Sequence, residues 1–79
     1  MKVYKKITEI HVKKQIALSA NEIPTKWASF LSKRELDILH KNFIKKINMS
    51  IIGRELGLSR ERIRQIIKKI TVKIYEHPR

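Results

Sequence analysis

The chain has no cysteine, which excludes disulfides, thiolate metal sites and cysteine nucleophiles. Glycine occurs only twice, too rarely to build a glycine-rich phosphate loop. The aromatic residues, one Trp, two Tyr and two Phe, are dispersed and offer no strand-borne platform for stacking single-stranded RNA. Acidic residues number seven and are thinly spread. They form no isolated catalytic pair, and no nucleophile sits beside a plausible base, so no enzymatic activity is expected. His11, His40 and His77 lack metal-ligand spacing, and neither metal nor cofactor is expected. No apolar run approaches the length of a membrane span, and the N-terminus lacks the apolar stretch of a signal peptide. A cytoplasmic chain with no membrane partner is the expectation.

What the chain has in abundance is positive charge. Nineteen Lys and Arg residues give a net charge of +12 and a pI near 10.4 in only 79 residues. Such a field draws polyanions, of which nucleic acid is the commonest. The length allows one small domain with one modest core, and hardly a deep catalytic pocket as well.

Along the chain the apolar spacing is helical. Over residues 3–18 a helix would gather Val3, Tyr4, Ile7, Ile10, Ala17 and Leu18 on one side, leaving Val12 and Ile16 on the other. A strand would alternate Ile10, Val12, Ile16 and Leu18, but Lys14 interrupts it and no hairpin turn follows. The helix is the preferred reading, and residues 1–24 are expected to form an N-terminal segment apart from a domain over 25–79. Asn21 to Pro24 breaks the pattern. Thr25 is placed to cap a short helix whose Trp27, Phe30 and Leu31 pack beneath the main helices. Ser32 with Glu35 forms a capping box that opens a helix with Leu36, Leu39, Phe43 and Ile47 along one face. Lys41, Lys45 and Lys46 fall elsewhere, on a solvated face. Asn48 caps a helix over 49–56, in which Met49, Ile52 and Leu56 are spaced for burial and Gly53 permits close approach.

Gly57 then punctuates the chain, and Ser59 caps a last helix that His77-Pro78 ends. At about 100° per residue, Ile63, Ile66, Ile67 and Ile70 gather on one side. Glu61, Gln65 and Lys68 point nearly opposite, Arg64 flanks them, and Arg60 and Arg62 stand at the helix start. Helix, tight turn, then a polar and basic helix is the layout of a helix-turn-helix reading head. Arginine forks onto guanine, glutamine pairs with adenine, and glutamate accepts from cytosine in a major groove. Glu61 also suits the positive end of the helix dipole. Its company of arginines favours base reading, because a carboxylate otherwise repels phosphates. Lys68, Lys69 and Lys73 read as sequence-blind phosphate contacts. Asn48, Ser59 and Arg62 are expected to join them.

The stretch Gly57-Leu58-Ser59-Arg60-Glu61-Arg62-Ile63-Arg64-Gln65-Ile66 resembles the turn and recognition helix of region 4 of bacterial primary-type sigma factors. Leu31-Ser32-Lys33-Arg34-Glu35-Leu36 is similar to the opening of the subregion before that helix-turn-helix, and His77-Pro78 resembles a pair that follows it. The resemblance covers about residues 28–79 and is most specific in the recognition helix. It implies an all-α fold, a small helical bundle with a C-terminal helix-turn-helix. It further implies that Arg60, Glu61, Arg64 and Gln65 read the minus-35 element of double-stranded promoter DNA. In the family this domain also docks on the flap of the RNA polymerase beta subunit. The matching surface here is the helix from Ser32, with Leu36, Leu39 and Phe43.

The chain departs from the family pattern in places. It has no room for the sigma regions that bind the polymerase clamp and melt the minus-10 element, and it lacks the helix that usually follows. His77-Pro78 lies one residue later than in the family, and Ile51 and Ile67 replace residues that are usually acidic. The expectation is a stand-alone region 4-like regulator, half of a split sigma factor with a second sigma-like subunit, or a phage-encoded protein at the nucleoid. Ile51, Val72 and the N-terminal segment argue for at least one protein contact, with a second copy of the chain as one candidate. Two other readings compete. A LuxR-type helix-turn-helix shares the leucine-serine-x-arginine-glutamate opening, but its threonine-valine-lysine core is absent. A protein that occupies the flap or a sigma factor without reading DNA has little reason to keep arginine, glutamate and glutamine on the exposed face.

Overall fold

The computed structural model describes the backbone of residues 2–77 and the side chains of residues 7–77. The expected roles of Val3, Tyr4 and Pro78 lie outside the described side chains. All regular structure among the described residues is helical: α1 (Lys2–Leu18), a 3-10 turn (Thr25–Ser29), α2 (Lys33–Leu39) widening into a π turn (His40–Ile44), α3 (Met49–Leu56) and α4 (Arg60–Glu76).

The helix starts arise from local hydrogen bonding. The Ser32 hydroxyl accepts from the Glu35 N–H at 3.1 Å, and the Glu35 carboxylate accepts from the Ser32 N–H at 2.9 Å. Asn48 accepts from the Ile51 N–H and Ser59 from the Arg62 N–H, each at 3.0 Å. Each side chain satisfies a backbone donor that the helix cannot. The 3-10 turn starts differently, with Pro24 at the cap position and no side-chain bond there, so Thr25 is not its cap.

One core runs through all four helices. Ile38, Leu39, Ile52, Ile63, Ile70 and Val12 are fully buried, with Trp27, Leu31, Ile67 and Ile74 almost so. Residues 1–24, expected as a segment apart, contribute Val12 and Ile16 to this same core.

The helix expected over 3–18 is present, but its buried face is the opposite one. Thr8, Val12 and Ile16 face the core, while Ile7, Ile10 and Leu18 are 41%, 59% and 75% exposed. Two apolar stripes compete on this helix, and α4 selects between them. Thr8 lies with its hydroxyl 3.5 Å from that of Thr71 on α4, and Thr71 also donates to the Lys68 carbonyl at 2.9 Å. Bonded threonines are tolerated in a core, and small β-branched side chains let the two helices approach closely.

The helix expected to run from Ser32 through Ile47 instead loosens after Leu39. The Lys45 N–H bonds to the His40 carbonyl, a five-residue spacing, at 3.0 Å. Before that turn, Ile38 is fully buried and Leu36 only half-buried. Lys41, expected on a solvated face, bridges Asp37 at 3.2 Å and Glu55 at 3.1 Å, tying α2 to α3.

A second ion pair joins α2 to the far end of α4. Lys73 donates to Glu35 at 2.9 and 3.2 Å, so the cap carboxylate serves two helices. Burial alone would raise the Glu35 carboxyl, but the Ser32 N–H and the Lys73 ammonium outweigh it and hold it below the ordinary 4.5. A carboxylate depressed on folding adds stability above its ordinary value and loses it as pH falls through the folded value. Stability should therefore decline below about pH 4.5, and Glu35→Gln should flatten part of that decline. Urea titrations of both proteins across acid pH test this. An unchanged acid limb in the variant would remove Glu35 from the account.

Candidate nucleic-acid interface

The connection between α3 and α4 sets the pose of the reading helix. Gly57 takes a left-handed conformation, φ 72° and ψ 29°, which costs glycine little and other residues more. The Leu58 N–H reaches back to the Gly53 carbonyl at 2.7 Å, and the Gly57 N–H to the Arg54 carbonyl at 3.4 Å. This pair of reversed bonds closes α3 as a Schellman motif. Gly53 was expected to admit a neighbouring helix, and it does admit close backbone. A Cβ built on it would meet the Leu58 carbonyl oxygen at 2.5 Å and that of Ser59 at 3.2 Å. The turn thus folds directly over Gly53 and delivers α4 at a set angle.

On α4 the two faces separate as the spacing predicts. Ile63, Ile67 and Ile70 are buried with Thr71 and Ile74, while Arg60, Glu61, Gln65, Lys68 and Lys69 are exposed and Arg64 is half-exposed. Ile67, which stands where the family is usually acidic, is a core residue at 5% exposure, whereas Ile51 remains at the surface, 40% exposed.

Glu61 and Arg64 are not independent. The Arg64 guanidinium grips the Glu61 carboxylate through Nε at 3.0 Å and Nη2 at 2.5 Å. That grip, reinforced by Gln65 and Arg60, holds the Glu61 carboxyl below its ordinary value. Such a solvent-screened pair contributes little, less than an arginine forked on guanine in a major groove. A stronger acceptor can therefore draw Arg64 away from Glu61.

Other expected contacts fare differently. Arg62 is exposed in the first turn of α4. The side-chain oxygens of Asn48 and Ser59 are already engaged as helix caps. Lys73 is held by Glu35, and at about 1.5 Å per residue it lies about 20 Å along α4 from Arg60. Leu39 is fully buried and Phe43 nearly so. This corrects their expected part in a docking surface: both fill the core, and of the three only Leu36 reaches solvent. Arg54 was missed. It is exposed in the last turn of α3, beside the helix-turn-helix turn, and nothing in its spacing distinguished it from an ordinary surface cation.

An all-helical bundle, a glycine-closed turn and a second helix with a polar basic outer face agree with the comparison to known families. A family model described as Sigma-70, region 4 matches residues 29–76. Searches of curated proteins and of solved structures returned no significant match. The match covers more than half of the chain, and the chain belongs to the sigma-70 region 4 family, a family of DNA-binding regulatory helix-turn-helix domains rather than enzymes.

Proposed function

We propose that this sigma region 4 protein reads a minus-35-like promoter element in the major groove and acts there with RNA polymerase. The observation that carries the reading is the outer face of α4, where Arg60, Glu61 and Gln65 stand exposed and Arg64 half-exposed directly after the turn. These are base-reading residue types at the end of the helix that enters the groove. Arg62, Lys68 and Lys69 supply phosphate contacts on either side, with Arg54 approaching the backbone from α3. Lys73 is left out, because its ammonium already has a carboxylate partner.

Polymerase contact falls to the outer surface of α2 around Leu36, backed by the buried Leu39 and Phe43. This work belongs in the cytoplasm, at the nucleoid of a bacterial or phage-infected cell.

Sequence selection from a random duplex pool, with and without core polymerase, tests the reading. A minus-35-like motif should emerge, and affinity should fall steeply with salt. Arg64→Ala and Gln65→Ala should each lose about 1–3 kcal/mol on the selected site and relax preference at one or two base pairs. Lys68→Ala should weaken selected and random duplexes alike. Unchanged ratios of promoter to random binding in both face variants would remove base reading. Retention on immobilised flap domain, lost in Leu36→Glu, would support docking through α2.

A further inference from the structure

On the side of the molecule away from Arg60 there is a cavity of about 310 Å³, lined by α1, the 3-10 turn and the end of α4. It is large enough for a small organic ligand and has the usual make-up of a ligand site, aromatic walls with a few polar groups. Two aromatic contacts frame it. The Phe30 ring stacks on His77 with centroids 3.8 Å apart and planes at 14°, and His11 meets Tyr75 edge-on at 5.3 Å. Trp27, only 3% exposed, is also part of the wall.

The charge of the lining is one-sided. Lys26 is its permanent cation, and no aspartate or glutamate lines it. Among the described residues the Lys26 ammonium has no ion-pair partner. An open cation beside flat apolar faces suits a ligand that is itself flat and carries one negative end. The α1 wall, which supplies His11, lies outside the residues matched by the family, 29–76. The cavity therefore depends on this chain's own N-terminal helix.

We propose that this cavity binds a small aromatic carboxylate, its ring against the aromatic walls and its carboxylate against Lys26. A ligand held there touches α1 and the end of the reading helix together, so binding stabilises the packing of one on the other. The proposal is independent of promoter reading, since no base-facing residue lines the cavity.

Trp27 is the only tryptophan, and its fluorescence reports on the cavity directly. The full chain is titrated with benzoate, with the neutral isostere benzamide, and with acetate, which has the charge but no ring. Benzoate should change the emission saturably, with a dissociation constant on the order of 1 mM for so small a ligand. Benzamide and acetate should each bind about tenfold more weakly, because each lacks one of the two interactions. Lys26→Met should weaken benzoate about tenfold while leaving the circular-dichroism spectrum and duplex binding as they were. The idea is overturned if benzoate produces no saturable change. It is equally overturned if benzamide matches benzoate, or if Lys26→Met binds benzoate as the parent does.

Discussion

Gly53→Ala should lower stability by about 1–3 kcal/mol, the cost of forcing atoms into a packed site. For a domain of this size that is a fall in melting temperature of ~4–8 °C per kcal/mol. The sign is informative, because two effects oppose. In an exposed helix interior alanine would gain ~1 kcal/mol over glycine from propensity. Here the added carbon meets the backbone oxygen of Leu58 at 2.5 Å, and Ser59 is close behind at 3.2 Å. No side chain can swing aside to relieve that contact, so the turn itself has to move. Because the turn aims α4, duplex affinity should fall with stability, even at a temperature where the variant is folded. Gly57→Ala offers the contrast. Nothing lies within 4 Å of its added carbon, and only the left-handed φ of 72° opposes it, at ~1–2 kcal/mol. Thermal melts and duplex titrations of the two variants separate these mechanisms. A Gly53→Ala protein more stable than its parent would show that the turn does not press on this glycine.

Ile16→Ala should be the most damaging of the simple truncations in α1. Ile16 is 5% exposed within the shared core, and emptying such a site costs about 2–5 kcal/mol. A domain of this length has roughly 4–12 kcal/mol in total, so the variant should lose a large share of its stability. Ile10→Ala, at a side chain 59% exposed, should stay within ~0.5 kcal/mol of the parent. The comparison decides which stripe of α1 faces α4. Denaturant midpoints that reversed the order, with Ile10→Ala severe and Ile16→Ala mild, would mean the helix is rotated from the pose described here.

The legible parts of this protein share one property: their cause lies within a few residues along the chain. Ser32 with Glu35, Asn48 with Ile51, and Ser59 with Arg62 are bonds across three residues. Gly57 closes α3 through bonds that reach back no further than Gly53. The exposed and buried faces of α4 also follow from spacing, because its isoleucines form one stripe with no rival. The exposed polar face of α4 and the resemblance to sigma region 4 are therefore legible without any tertiary contact.

Where two local solutions were nearly equal, spacing could not choose. On α1 the stripe of Ile7, Ile10 and Leu18 is the more apolar one. Thr8, Val12 and Ile16 are buried nonetheless, because Thr71 and the isoleucines of α4 lie opposite them. Leu39 and Phe43 belong to the core and not to a docking surface for the same kind of reason, since the other helices cover that face. Lys73 looked like any other basic residue on the reading helix until the fold brought Glu35 to it from 38 positions away. The sequence by itself determined the caps that start α2, α3 and α4, which residues form the exposed face of α4, and the family. Only the tertiary structure decided which face of α1 is buried, which lysine is already paired, and that a cavity opens between α1 and α4. Capping and periodicity act across single turns, whereas burial and long-range ion pairs depend on what the rest of the chain places opposite.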